Sequence, residues 1–256
     1  MKKMGESLDY NQKKAFYSKI LTIYGRNPVY EALSDPKLEI HRLHLAKSNK
    51  TSSIIERIEK AAIQRGVEIV MHDRTSLSRI SKNGRQDQGV ALDIVMNNWS
   101  SPAEFISKND EYRVMALDGV TNPQNVGMIV RSCAAGKIDA VILHGKSAAF
   151  FSPLTVKASA GTIFKIPVIR SDSLFDALCS FIRHDAVVFT LDATSGREYR
   201  SLEYPQRCVF VLGNESEGVS AATRELSTES LYIPMRRGVE SLNVAAAATL
   251  LAFMDR

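Results

Sequence analysis

From residue 113 onward, short apolar, β-rich runs alternate with segments of helical periodicity, and this alternation restricts the fold more than any other feature of the chain. It predicts strands at 113–117, 140–143, 164–169, 186–191, 209–212 and 231–233, and helices at 125–135, 152–158, 173–182, 220–226 and 243–254. Strands that are apolar throughout must be covered on both faces, and helical crossovers return each strand in the same direction. The fold class is therefore α/β, with a mostly parallel sheet carrying helices on both faces. Asn125 is a candidate cap for the first of these helices and Gly136 its stop.

The first hundred residues carry a smaller α/β pattern. A strand or turn followed by a helix is expected over 23–33, with Asn27 as N-cap and Pro28 at the first helical position. A strand at 40–46 precedes a helix that Ser53 and Glu56 open as a capping box and Gly66 closes. A strand at 67–71, a short helix at 76–80 and a strand at 90–95 complete the unit. Polar and turn-forming residues then cluster at 97–110 (NNWSSPAEFISKND). The expected organisation is a basic tail at 1–19, an α/β domain at 20–97, a linker at 98–111 and a larger domain at 112–256.

Charge favours nucleic acid only mildly. The net charge is +5, and most of the excess lies early: residues 1–111 hold 18 Lys and Arg against 14 Asp and Glu, residues 112–256 hold 15 against 14. Lys2, Lys3, Lys13, Lys14 and Lys19 face only Glu6 and Asp9 in the tail, which fits a phosphate-touching arm and a solvated tail equally. No apolar run approaches the roughly 20 residues that span a bilayer, and residues 1–16 lack the apolar core of a secretory signal. The expectation is a cytoplasmic protein with no membrane partner.

Several chemistries lack their motifs. Cys133, Cys179 and Cys208 are far apart with no C-x-x-C, and His41 and His44 are poorly spaced for a strand to present to one ion, so no metal site is expected. There is no G-x-G-x-x-G and no G-x-S-x-G. The HGKS at 144–147 resembles the end of a P-loop, but Ala140 stands where the first glycine belongs.

Functional information concentrates in three stretches: 118–131 (DGVTNPQNVGMIVR), 209–220 (VFVLGNESEGVS) and 232–246 (YIPMRRGVESLNVAA). Each joins an apolar run to a Gly-, Asn- or Pro-bearing turn, so polar groups sit where a strand hands over to a loop. In the second, Gly213 and Gly218 flank Asn214 and Glu215, and glycines let main chain approach a ligand closely. In the third, Ile233, Pro234 and Met235 set apolar surface at a strand end. Ser241, Leu242 and Asn243 follow, ahead of a helix whose first N–H groups have no partner within it. A plain N-cap is the lesser reading of Ser241.

In this order and spacing, the three stretches resemble motifs one, two and three of the SpoU family, RNA ribose 2′-O-methyltransferases of the SPOUT superfamily. The first hundred residues, opening with YGRNPVYEAL, resemble the small RNA-binding domain that many members carry. The resemblance implies S-adenosyl-L-methionine as methyl donor, a deep trefoil knot, a homodimer through the catalytic domain, and RNA as partner, large-subunit ribosomal RNA first. Transfer RNA, a resistance methylation of ribosomal RNA, and a non-catalytic ribosome-assembly role are the other readings.

By that resemblance Gly213, Ile233 and Leu242 contact the donor, with Asn214, Gly218 and Met235 beside them. Ser241 and Asn243 lie near the reacting ribose, with Asn125, Glu215 and Arg131 as further catalytic candidates. The family assigns the matching arginine to activating the 2′-hydroxyl. A guanidinium with a pKa above about 12 holds its proton, so anchoring a phosphate and orienting the hydroxyl is the better physical role. In a helix from Asn125, Arg131 would share a face with Gly127, whose missing side chain would leave room for a nucleotide. Arg236 and Arg237, after the IPM run, fit a phosphate contact and a solvated surface alike.

Overall fold

The computed structural model describes residues 16, 17, 19–144, 152–192 and 196–255. Most of the basic tail lies outside the described residues, as do positions 145–147 of the P-loop look-alike. The chain divides into two units, Met1–Asn97 and Asn98–Arg256.

In the first unit the elements run β1 (Ile20–Tyr24), α1 (Arg26–Ser34), β2 (Glu39–Ala46), α2 (Ser53–Gln64), β3 (Glu68–His72), α3 (Arg74–Ser81) and β4 (Val90–Val95). The sheet order is β1-β4-β2-β3, antiparallel except between β2 and β3. Three helix starts differ from expectation, that of α3 by two residues (Arg74 behind an Asp73 cap, against 76). Gly25, at φ 93°, stands at the N-cap of α1 in place of Asn27, a backbone angle that glycine alone adopts at little cost. Ser52 rather than Ser53 occupies the N-cap of α2. A polar chain crosses all four strands: Thr22 Oγ1 donates to Asp93 Oδ1 (2.6 Å), Asp93 Oδ2 lies 3.0 Å from His44 Nε2, and His44 Nδ1 lies 3.0 Å from His72 Nε2. His44 is thus a buried, bonded histidine of the sheet.

The second unit runs β5 (Trp99–Ser100), α4 (Pro102–Lys108), β6 (Tyr112–Leu117), α5 (Pro123–Ala135), β7 (Ala140–His144), α6 (Pro153–Ala158), β8 (Val168–Ser171), α7 (Leu174–Ile182), β9 (Val187–Leu191), β10 (Arg197–Glu198), β11 (Arg207–Leu212), α8 (Ala221–Leu226), β12 (Glu229–Tyr232) and α9 (Val244–Ala252). Eight strands join in the order β10-β12-β9-β11-β6-β7-β8-β5, every pair parallel. β6 is buried at every position, and β11 at all but its first. Val114, Ala116, Val209 and Val211 pack with Phe105 of α4 and Leu178 and Phe181 of α7. The alternate residues Met115, Leu117 and Phe210 are buried as well, so the sheet is covered on both faces as expected of a parallel α/β fold.

Three local outcomes depart from the sequence reading. Residues 98–111, read as a linker with a helical turn after Ser101-Pro102, carry a strand as well as a full helix: β5 pairs with β8, and Ser101 caps α4 by accepting from the Glu104 N–H (3.2 Å). The strand expected from 164 begins at Val168. Residues Thr162–Phe164 form a 3-10 turn after Gly161 (φ 74°), and Pro167 has no N–H to give a ladder. Asn122, with Pro123 behind it, caps α5 in place of Asn125. α9 is held at its far end, where Ala252 O accepts from Lys137 N–H (2.6 Å) and Arg113 donates to Met254 O (3.4 Å).

Candidate active site

Parallel strands end on one edge of their sheet, so the turns after β6, β11 and β12 open on the same side. The three sequence stretches are those turns and the helices they lead into.

The turn after β11 is built on a close approach. A Cβ at Gly213 would lie 2.1 Å from Gly218 C and 2.2 Å from Val219 N, so only glycine lets the loop double back there. Asn214 and Gly218 exchange two main-chain hydrogen bonds of 2.9 Å across it. The Asn214 side chain fixes the start of the loop: Nδ2 donates to Gly119 O (2.9 Å), and Oδ1 accepts from Ser216 N–H (2.8 Å). At the far end Asp118 Oδ2 accepts from Ser220 N–H (2.8 Å), and Ser220 caps α8.

Since Asn122 serves as the cap of α5, the side chain of Asn125 is available for tertiary bonds. Its Nδ2 donates to Glu215 Oε1, and its Oδ1 accepts from Asn243 Nδ2 (3.2 Å). Asn243 also caps α9 by accepting from Ala245 N–H (2.9 Å). One buried asparagine thus joins all three stretches. α5 and α9 are tied again two turns on by Ser132 and Thr249, whose hydroxyls lie 2.7 Å apart.

The remaining candidates are placed less tightly. Arg131 is exposed and bonds to no other described residue, although it lies on α5 only six positions past Asn125. Ser241 is exposed too and bonds to no other described residue, the capping role falling to Asn243. Ile233 and Met235 are half-buried just after β12, while Leu242 stays 40% exposed for so apolar a residue. Gly127 is not open to a nucleotide: a Cβ there would meet Ala158 Cβ at 2.6 Å and Thr155 O at 2.7 Å. Its missing side chain lets α6 press against α5. Two residues that hold the site, Asp118 and Asn122, were not singled out from sequence, although both stand at its turns.

Elsewhere the chemistry is quiet. Burial pushes the Cys133 thiol up, so it stays protonated inside α5. Among the described residues no group of three or more His, Cys, Asp and Glu is placed to hold a metal ion, and no helix is long and apolar enough to cross a membrane.

Comparison with known proteins covers both units. Residues 112–253 match the SpoU rRNA Methylase family, and residues 22–100 match a family described as RNA 2′-O ribose methyltransferase substrate binding. A Mycobacterium bovis protein named as an uncharacterized tRNA/rRNA methyltransferase is 30% identical over 230 residues, spanning 89% of this chain and 71% of the relative. A Porphyromonas gingivalis structure of the TrmH family is 26% identical, with TM-score 0.63 over 94% of this chain and 90% of that one. The SpoU methyltransferase AviRb from Streptomyces viridochromogenes, solved with the cofactor AdoMet, gives TM-score 0.65 over 93% and 89% of the two chains. At 21% identity that likeness is one of fold.

Proposed function

The chain belongs to the SpoU rRNA methylase family of RNA methyltransferases, and on that premise we propose that it transfers a methyl group from S-adenosyl-L-methionine to a ribose 2′-hydroxyl of RNA, with large-subunit ribosomal RNA as substrate. The observation that carries this reading is the pair of bonds from Asn125 to Glu215 and Asn243, which gathers three stretches distant in sequence at one edge of the sheet.

S-adenosyl-L-methionine supplies a methyl on a sulfonium, and the residues present suit it. Gly213 brings main chain up to where an adenosine would lie, in a turn that Asn214 and Gly218 hold by the bonds they exchange, while Ile233, Met235 and Leu242 keep apolar surface at the carboxyl ends of the strands. Arg131, exposed and without a described partner, holds the phosphate beside the reacting nucleotide and turns its hydroxyl toward the methyl. Ser241 and Asn243 line the ribose. Glu215 orients Asn125, whose amide keeps Asn243 in register. A donor held there would supply its methyl to the 2′-oxygen and leave as S-adenosyl-L-homocysteine, with the hydroxyl proton released to solvent.

Around this centre we place a trefoil knot in the carboxy-terminal part of residues 112–256, a homodimer through that domain, and a cytoplasmic location. The 20–97 domain serves as an RNA-gripping module. Its match to a substrate-binding family supports an RNA acceptor, and the relatives' tRNA/rRNA name makes transfer RNA the second reading. Mapping 2′-O-methylated nucleotides in cells with and without the protein tests the proposal. One ribosomal position lost with the protein supports it, and a lost transfer-RNA position supports the second reading. An unchanged map, with no donor uptake by calorimetry, would leave a non-catalytic RNA binder.

A further inference from the structure

Asp118 has no part in the methyl transfer described above, yet it is buried just beyond the carboxyl end of β6. Its N–H donates to Leu212 O (2.8 Å), the last rung between β6 and β11. Beyond that rung the two chains diverge, one into the turn at Gly119 (φ 71°), the other into the loop bearing Glu215. That loop is tied to the 118–119 turn twice, by Asn214 Nδ2 to Gly119 O (2.9 Å) at its start and by Ser220 N–H to Asp118 Oδ2 (2.8 Å) at its end. Glu215 sits between the two ties and reaches Asn125 from there. Ser216 to Gly218 are exposed, so the loop's own side-chain anchors are Asn214 at its start and Val219, buried in the core, beside Ser220.

We propose that Asp118 is a positioning residue for methyl transfer: by gripping the Ser220 N–H it sets the 213–220 loop at the height where Glu215 meets Asn125. The bond is part-buried and charge-assisted, and bonds to a carboxylate are stronger than those between neutral groups. Asp118 touches neither substrate nor donor; it acts through Glu215. The inference rests on the catalytic reading of Glu215 proposed above.

The test is a double-mutant cycle on the full chain, assayed by transfer from tritiated S-adenosylmethionine to total RNA from cells lacking the protein. E215Q alone should cut turnover; if it does not, the reading of Glu215 fails first. D118A should cut kcat by about tenfold in the parent chain and by less than about twofold in the E215Q background. Equal losses in both backgrounds would reduce Asp118 to a general support of the fold and overturn the proposal. Should D118A not fold, the donor side carries the same cycle. Ser220 has φ −59°, which proline accepts, so S220P deletes the N–H while S220A keeps it and removes only the hydroxyl. Turnover lost in S220P but kept in S220A supports the grip; equal turnover in the two refutes it.

Discussion

Gly127→Ala tests how tightly the site is held from behind. A methyl at Gly127 would lie 2.6 Å from Ala158 Cβ, 2.7 Å from Thr155 O and 2.9 Å from Ser159 N. Two of these neighbours are main chain, so no side-chain rotation relieves the clash and α6 must shift against α5. Overpacking of this kind costs about 1–3 kcal/mol, and exchanging glycine for alanine within a helix returns up to about 1 kcal/mol. A net loss of about 1–2 kcal/mol would lower the melting temperature of a unit this size by roughly 2–8 °C. The functional loss should exceed the thermal one. Asn125 stands two residues before Gly127 on α5, and a displacement of about 1 Å in a positioned group can lower turnover about a hundredfold. Calorimetric melting and tritium transfer on the same preparation measure both. An unchanged melting temperature with full turnover would mean that α6 yields freely, and the argument for close packing behind Asn125 would fall.

Other outcomes follow from the same geometry. Arg131→Ala should lower methyl transfer by about a hundredfold or more while stability stays within about 0.5 kcal/mol and donor affinity holds, since the side chain is exposed and without a described partner; retained turnover removes Arg131 from the mechanism. Asn243→Ala removes both the α9 cap and the bond to Asn125, costing about 1–2 kcal/mol. N243D keeps the cap acceptor but not the donor, so melting should recover and turnover should not; recovery of both would divorce that bond from catalysis. Acid should loosen the first unit. Burial, then neighbouring His44, hold His72 below its ordinary value of 6.5; burial opposes ionisation of Asp93, but hydrogen bonds from His44 and Thr22 outweigh it and hold that carboxyl below its ordinary 3.8. Both groups take a proton more readily unfolded than folded, so the stability they lend at neutral pH fades below about 6.5 for His72 and further as the pH falls through the lowered value of Asp93. Protection of the β3 and β4 amides, corrected for the intrinsic pH dependence of exchange, that stays constant as the pH falls from neutral to below the Asp93 value would contradict this.

How much of this was legible beforehand depended on the range of the interactions. β4 falls on its expected bounds, and β6 and β11 within a couple of residues, because each is a mostly apolar run closed by a turn residue. The edge strands Trp99–Ser100 and Arg197–Glu198 escaped notice, since two residues carry no periodicity. The start of α5 was misplaced because Asn122 and Asn125 have the same capping propensity; Pro123 at the first helical position was the deciding signal. Strand-end turns mark the three stretches one by one, but their bonds to one another show only in the fold. No local pattern announces bonds that join Asn125 to residues 90 and 118 positions away. Asp118 was overlooked for a related reason: one carboxylate beside a glycine looks like ordinary turn chemistry until its partner at position 220 is seen.

The tie between Asn125 and Asn243 also sets a timetable for the ribosome. α5 emerges with Val126, Ile129, Val130 and Cys133 on a face that is wholly buried in the finished protein, and part of its cover, α9, is encoded 118 residues later. At translation speeds of about 5–20 residues per second, that face waits roughly 6–24 s for its lid. The nascent chain is therefore a natural client for chaperones over that interval, and slowing translation between the two codons should raise the share of product lost to aggregates.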